Sequence, residues 1–197
     1  MLQGALRSSS KRALPLIDVG ALYENNLDAK LKVSNEIGQA CEHIGFFGIA
    51  NHRIPPPVMD DMLTTSKQFF DLDEKEKNKM HAMSKDYPYG YSGIMGEVLS
   101  SGKQLDKQPD EEPTSKTTAI PDLKESFSMG PYNPASGVLP PIFPSNPRAF
   151  ESAYMTYYQH MEDLTSRMCQ AFALALNLPI NWFEDKTDRH RCCIRSM

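Results

Sequence analysis

The sequence predicts an α+β domain, rich in helix and poor in strand. Three observations carry that expectation. Apolar residues recur at three- and four-residue steps through long segments near residues 27–44, 58–70 and 150–176. The strand-like pieces between them are short. The 197 residues, 40% hydrophobic and 23% charged, are enough for one ordinary core and short of two. Charge is nearly balanced, with 21 Lys and Arg against 25 Asp and Glu for a net −4 and a pI near 5.7. That balance argues against a nucleic-acid footprint or a polybasic membrane surface. No apolar run reaches the roughly 20 residues of a membrane helix. Cys41, Cys169, Cys192 and Cys193 are scattered apart from the one adjacent pair, which fits neither a disulfide framework nor a paired zinc pattern. A soluble protein of the reducing cytoplasm is expected.

Residues 1–13 hold Arg7, Lys11, Arg12 and three consecutive serines. They are short and lack an apolar or amphipathic face, so they are read as a disordered arm rather than a transit peptide. Leu14–Val19 is a β-branched run closed by Gly20, a first strand. Leu27, Leu31, Ile37, Ala40, Cys41 and Ile44 then follow a helical period, and Gly45 stands where a helix end wants positive φ. Phe46–Ala50 is too short for a helix and is expected to be a buried strand. Pro55, Pro56 and Pro57 suit the first turn of a second helix, whose stripe is Val58, Met59, Met62, Leu63, Ser66, Phe69 and Phe70. Asp71 or Asp73 could cap the charged segment 74–79, which is expected to face solvent.

From Val98 to Asp122 polar residues and prolines dominate, so 98–122 is expected to be a flexible insertion. Glu125–Met129 alternates polar and apolar residues, the pattern of a strand. A Pro-rich loop follows, and Pro147 stands at an N1-like position before the longest helix, with Phe150, Tyr154, Tyr157, Met161, Leu164, Met168, Phe172 and Leu176 on its stripe. Asn177 and Pro179 are expected to end that helix. After Trp182 and Phe183, the run from His190 to Arg195 looks like an incoming strand. The helices so outnumber the strands that either they form a bundle alone or the layer they lean on lies beyond Met197.

The chemistry-bearing residues do not assemble a catalytic set. Phosphate-binding, dinucleotide and nucleophile-elbow motifs are absent from the sequence. His160-Met161-Glu162 with His190 has the spacing of an iron triad. On a helix, however, residues two apart point to nearly opposite sides, so they are expected to be solvated instead. His190, Cys192 and Cys193 offer three soft ligands, but zinc needs a fourth and adjacent strand residues face apart; small buried strand residues are the expectation. Cys41 and Cys169 lie on apolar stripes and are expected in the core, and His52 is expected to make a capping hydrogen bond. Tyr87, Tyr89 and Tyr91 share a loop with Gly90 and Gly93, which suits either a cavity rim or ordinary loop packing.

Several motifs occur together and in order: Leu14-Pro15-Leu16-Ile17-Asp18, Ala40 to Phe47, Asn51-His52-Arg53-Ile54-Pro55, Phe69-Phe70-Asp71-Leu72, Lys75 to Met80, Gly90-Tyr91 and Lys124-Glu125-Ser126-Phe127. In this the chain resembles the N-terminal region of iron(II)/2-oxoglutarate-dependent oxygenases of the isopenicillin N synthase type, over roughly residues 14–195. The resemblance implies a helix-rich N-terminal region of a double-stranded β-helix (jelly-roll) oxygenase with most of the jelly roll missing, residues 14–197 forming the domain and 190–197 starting the core. It implies Fe(II) and 2-oxoglutarate for a full-length protein, with neither bound by this chain, because the family's His-x-Asp, distal His and Arg-x-Ser are not placed here. Tyr89, Tyr91 and Ser92 are the implied substrate-side residues for a small organic substrate; no catalytic or metal-binding residue is assigned. Arg53 departs from the glycine the family usually has after Asn-His, a costly choice if φ there is positive. The implied function is the N-terminal portion of a dioxygenase, inactive by itself. The alternatives are a non-catalytic binding or regulatory protein of the same fold, or an oxidase that uses no 2-oxoglutarate.

Overall fold

The computed structural model describes residues 13–80, 89–94, 123–131 and 141–197. The expectations for the N-terminal arm before Ala13, for Tyr87 and for the 98–122 insertion lie outside the described residues. The chain divides into two units, Met1–Ile54 with Met161–Lys186, and Pro55–His160 with Thr187–Met197.

In the first unit β1 (Leu16–Asp18) and β2 (Gly48–Ala50) run parallel, with Ile17 opposite Ile49. Parallel strands need a long crossover, and α1 (Leu27–His43) supplies it. The Asn26 side chain accepts the Ala29 N–H at 3.2 Å, satisfying one of the donors a helix start leaves bare. At the other end the N–H groups of Ile44 and Gly45 both reach the Ala40 carbonyl, and Gly45 has φ +84°, the predicted glycine closure. Val33, Ile37 and Ala40 bury against Ile17, Val19, Leu22 and Ala171. The stripe narrows at its end, where Ala40 is buried but Cys41 is exposed, so Cys41 is not the core residue expected. Nor is 46–50 a buried strand: pairing starts at Gly48, all of β2 is half-buried, and Phe46 is 75% exposed.

The turn after β2 is held by side chains. Asp18 accepts the Gly20 N–H at 2.8 Å and the Asn51 amide at 2.6 Å, and these two bonds, the backbone one foremost, hold its carboxyl below the usual range. A lowered carboxyl contributes stability above the pKa of the unfolded chain, near 4, and loses it as pH falls through the folded value. The Asp18→Asn variant is therefore expected to show a shallower loss of stability below about pH 4 than the parent, read as urea midpoints across acid pH. Equal slopes would remove Asp18 from the acid response. His52 Nδ1 accepts the Ile54 N–H at 3.2 Å, the capping bond expected of it.

Asn51 and Arg53 both have φ +57°. Asparagine tolerates that region; arginine does so at a cost of about 1 kcal/mol. The Arg53 guanidinium lies 4.9 Å from the Tyr23 ring centroid, a contact that offsets about 0.5–1 kcal/mol of it at an exposed site. The stability order Arg53→Gly above parent above Arg53→Ala is expected, each step about 0.5 kcal/mol, because alanine keeps the strain and loses the stack. Thermal midpoints check this, and an alanine variant more stable than parent contradicts it.

In the second unit α2 (Pro56–Phe70) starts on two prolines, whose missing N–H groups cost nothing in a first turn. Asp73 rather than Asp71 caps α3 (Glu74–Asn78), accepting the Glu76 N–H at 3.0 Å. The segment is not wholly solvent-facing: Lys77 is buried. Strands β3 (Gly90–Ser92), β4 (Ser126–Met129) and β5 (Ile194–Ser196) form an antiparallel sheet in that order. β4 lies between β3 and β5, and all four of its residues are buried, the polar ones included, although polar and apolar residues alternate along it. The incoming strand is shorter and later than expected; pairing starts at Ile194, and Cys192 and Cys193 precede it, exposed rather than buried.

The long helix α4 (Phe150–Ala175) contributes residues to both units. Pro147 lies outside its first turn, its carbonyl accepting the Phe150 N–H. Asn177 at φ +56° ends it, with the Leu178 N–H returning to the Ala173 carbonyl. His160 and Glu162 are half-buried, not solvated as expected. A short α5 (Glu184–Thr187) follows Trp182 and Phe183. No described helix is long and apolar enough to cross a membrane.

Candidate functional site

The site-bearing part of the second unit is the sheet and what props it. Phe69 of α2 sits at its centre, with ring centroids 5.9 Å from Tyr91, 5.2 Å from Phe127 and 5.1 Å from Phe150. Tyr154 stacks on Phe150 at 4.1 Å. Edge-on and offset ring pairs of this kind add to the stabilisation from area alone.

Of the three predicted substrate-side residues, Tyr91 is 3% exposed, and its phenol donates to Glu125 Oε2 at 2.7 Å. The same oxygen accepts Lys77 Nζ at 2.7 Å, while Lys77 also donates to the Phe70 carbonyl at 3.1 Å. Burial first, and then the bond to a carboxylate, push the Tyr91 phenol well above its usual range. Its N–H meets the Met80 carbonyl at 2.7 Å, pinning β3 to the end of α3. Ser92 is half-buried, and by strand alternation it points away from Tyr91. Tyr89 is half-buried over Gly130: a Cβ there would lie 2.5 Å from the ring, so only glycine allows this seat. Tyr91 is thus an anchor of the segment, while Tyr89 and Ser92 flank it.

A cavity of about 640 Å³ opens beside β5, walled by Met59, Leu63, Phe70 and Tyr157 and bordered by Glu125 and Ser196. At its polar side three hydroxyls meet: Tyr154 to Ser196 at 2.7 Å, Ser66 to Tyr154 at 3.0 Å and Ser66 to Ser196 at 3.3 Å. Ser66 donates its proton to the Met62 carbonyl at 2.7 Å, so toward the other two hydroxyls its oxygen can only accept, and the two protons left serve two of the three contacts at a time. Burial raises the Tyr154 phenol, and its bonds to Ser196 and Ser66 draw it back. Arg195 Nε donates to Ser128 at 3.1 Å across the sheet.

Reading the residues singly missed Lys77, Glu125, Ser66 and the hydroxyl group of Tyr154. Lys77 is one lysine in a charged run and carries no periodic signal. The usable signal was that Lys75 to Met80 and Lys124 to Phe127 are both among the ordered motifs. Among the described residues, no three His, Cys, Asp or Glu side chains come together to hold a metal ion, His160, Glu162 and His190 included. These residues do not fit an iron site, and no reaction step is assigned to them.

Residues 14–147 match the family described as "non-haem dioxygenase in morphine synthesis N-terminal", and the chain belongs to that family. The wider group is the 2-oxoglutarate-Fe(II) oxygenases, whose members depend on Fe(II) and 2-oxoglutarate. Jasmonate-induced oxygenase 3 of Arabidopsis thaliana is 40% identical over 93 residues, which is 47% of this chain and 25% of that protein. The 2-oxoglutarate-Fe(II) type oxidoreductase ppzC of Metarhizium majus is 28% identical over 94% of this chain and 50% of that protein. The fold is that of a full-length Neurospora crassa protein solved in complex with alpha-KG and thymine: TM-score 0.73, 22% identity, 92% of this chain and 54% of that one. A 2OG-Fe(II) oxygenase family protein of Caulobacter crescentus superposes at TM-score 0.71 with 18% identity, over 93% of this chain and 55% of that one. The chain spans about half the length of the curated fungal relatives it matches, and the 93-residue match to the Arabidopsis protein covers 25% of that protein.

Proposed function

We propose that this chain is the N-terminal portion of an iron(II)/2-oxoglutarate-dependent dioxygenase that oxidises a small organic molecule in the cytoplasm. Its three-stranded sheet begins a jelly roll whose remaining strands, iron ligands and 2-oxoglutarate grip come from sequence like that of the longer relatives. The observation that carries this reading is β5. It pairs with β4 on one side only among the described residues, and the apolar cavity stands beside it. An open strand edge next to an apolar wall is what a further layer would cover.

In this reading residues 190–197 enter the oxygenase core, and the segment Tyr89 to Ser92 forms one wall of the substrate pocket. Tyr89 and Ser92 face the substrate, and Tyr91, held by Glu125, keeps the wall in place. The net charge of −4 gives no reason to expect a nucleic-acid substrate.

The chain alone, supplied with Fe²⁺, ascorbate and 2-oxoglutarate, is expected to form no succinate above a protein-free blank. Coding sequence downstream of Met197 is expected to carry an in-frame His-x-Asp and a distal His. Succinate production by the chain alone would overturn the division of labour; a natural stop at Met197 in the transcript would overturn the longer protein.

A further inference from the structure

Within the second unit, α2 and the start of α4 frame a recess of about 210 Å³ that shares no residue with the cavity beside β5. Val58, Asp61 and Thr65 line it from α2, at the three- and four-residue steps that share one helix face. Ser152, Ala153 and Thr156 line it from α4. Thr65 is only 4% exposed, yet its hydroxyl has no hydrogen-bond partner among the described residues. Ser66, the next residue, donates back to the Met62 carbonyl, and Thr65 makes no such bond to its own helix. A hydroxyl kept from water without a partner is costly, and a ligand in the recess would supply one. We propose that this recess binds a primary alkylammonium group, that of a small free amine or of a lysine side chain.

The donors and acceptors of the wall select the ligand. Asp61, ionised near neutral pH, only accepts. Ser152 Oγ donates to the Ala149 carbonyl at 3.0 Å, so toward the recess its oxygen can only accept as well. The hydroxyls of Thr65 and Thr156 are free to accept beside them. Among the described residues no Lys, Arg or His side chain lines the recess, and Asp61 has no ion-pair partner. A ligand must therefore bring both protons and positive charge. A hard metal ion wants six or more oxygens with several carboxylates, and here there is one. Glu151, in the first turn of α4, meets the positive end of that helix, so the helix start does not make this an anion site. An ammonium brings three donors, and Val58 and Ala153 offer apolar surface to the alkyl chain behind it. The volume is below the roughly 300–1,000 Å³ of sites for drug-sized ligands, which suits a group of a few heavy atoms.

The test is an amide NMR titration of the full chain with n-butylamine at about pH 7, where the amine is protonated. The expected result is saturable movement of signals from α2 and the start of α4, with a dissociation constant of about 1 mM for so few atoms. Asp61→Asn, at an exposed position, should weaken binding about 10-fold or more, and Thr65→Val, of the same shape without the hydroxyl, about 5-fold. Thr65→Val exchanges an unpartnered hydroxyl for a methyl, so its thermal midpoint should be no lower than the parent's, which separates lost binding from lost fold. 1-Butanol and butyrate, which remove or invert the charge, should not saturate over the same range. Nα-acetyllysinamide binding more tightly than n-butylamine would assign the recess to a lysine of a partner protein; equal or weaker binding would assign it to a free amine. No saturable shift with either amine, shifts confined to other elements, 1-butanol binding as well as the amine, or Asp61→Asn binding as tightly as the parent would each overturn the site. None of these readouts depends on oxygenase turnover, so failure here leaves the proposed function untouched.

Discussion

Replacing Glu125 with alanine is expected to destabilise the unit built from Pro55–His160 and Thr187–Met197 by about 3 kcal/mol. One carboxylate oxygen, Oε2, accepts both the Lys77 ammonium and the Tyr91 phenol, each at 2.7 Å. The side chains of Lys77 and Glu125 are 11% and 25% exposed, so neither partner can recover water freely once the other is gone. Removing one member of such a pair typically costs about 3–5 kcal/mol, and the residual exposure of Glu125 places this case at the low end. The penalty lies in what is left behind: an ammonium with the Phe70 carbonyl as its remaining acceptor, and a phenol with no carboxylate. Two further variants separate that account from loss of packing. Glu125→Gln keeps the shape and an acceptor oxygen and should lose about half as much. Lys77→Met with Glu125→Leu removes both charges and should be less destabilised than Glu125→Ala alone. Urea midpoints followed by circular dichroism decide it. A Glu125→Ala midpoint within about 0.5 kcal/mol of the parent would mean that solvent already screens the pair.

The helices were readable in the sequence because each one is a local statement. In α1 the period and Gly45 agree, and the structure returns Leu27–His43. In α2 the prolines and the stripe agree, and it returns Pro56–Phe70. What could not be read depends on residues far away in the chain. The alternation in Glu125–Met129 is that of an edge or half-covered strand, yet β4 lies between β3 and β5, which come from opposite sides of it in sequence. Lys77 is indistinguishable from its charged neighbours until Glu125 arrives 48 residues later. Leu63 belongs to the α2 stripe by period but is 70% exposed on the cavity wall, because what a helix face meets is not encoded in its spacing. Of the tyrosine segment, the sequence offered cavity rim and loop packing as equals. The structure places Tyr91 inward on Phe69 and leaves Tyr89 and Ser92 half-buried. Arg53 shows the converse: the family resemblance, with glycine usual after Asn-His, marked this one position as costly if φ were positive, and the backbone there has φ +57°.

Phe127→Ala is the second large effect, about 4 kcal/mol of lost stability. Phe127 is fully buried in the middle strand and touches three rings: Phe69 at 5.2 Å, Phe150 at 4.9 Å and Tyr154 at 5.6 Å, all steeply inclined. Truncation removes the ring's transfer free energy and leaves a void bounded by rigid aromatic plates that cannot collapse into it, which places the cost in the upper half of the usual range of about 3–5 kcal/mol. Phe127→Leu fills most of the space and should cost roughly 1.5 kcal/mol. In register Phe127 lies opposite Tyr91 on one side and Ser196 on the other. Its loss should therefore also loosen the Tyr91–Glu125 bond and the three-hydroxyl cluster, making the Tyr91 phenol ionise at lower pH in an ultraviolet titration. Phe46, equally large but 75% exposed, supplies the control: Phe46→Ala should stay within about 0.5 kcal/mol of the parent. If the two alanine variants melt alike, the ring cluster is not what holds this sheet, and the support assigned to the substrate-side wall fails with it.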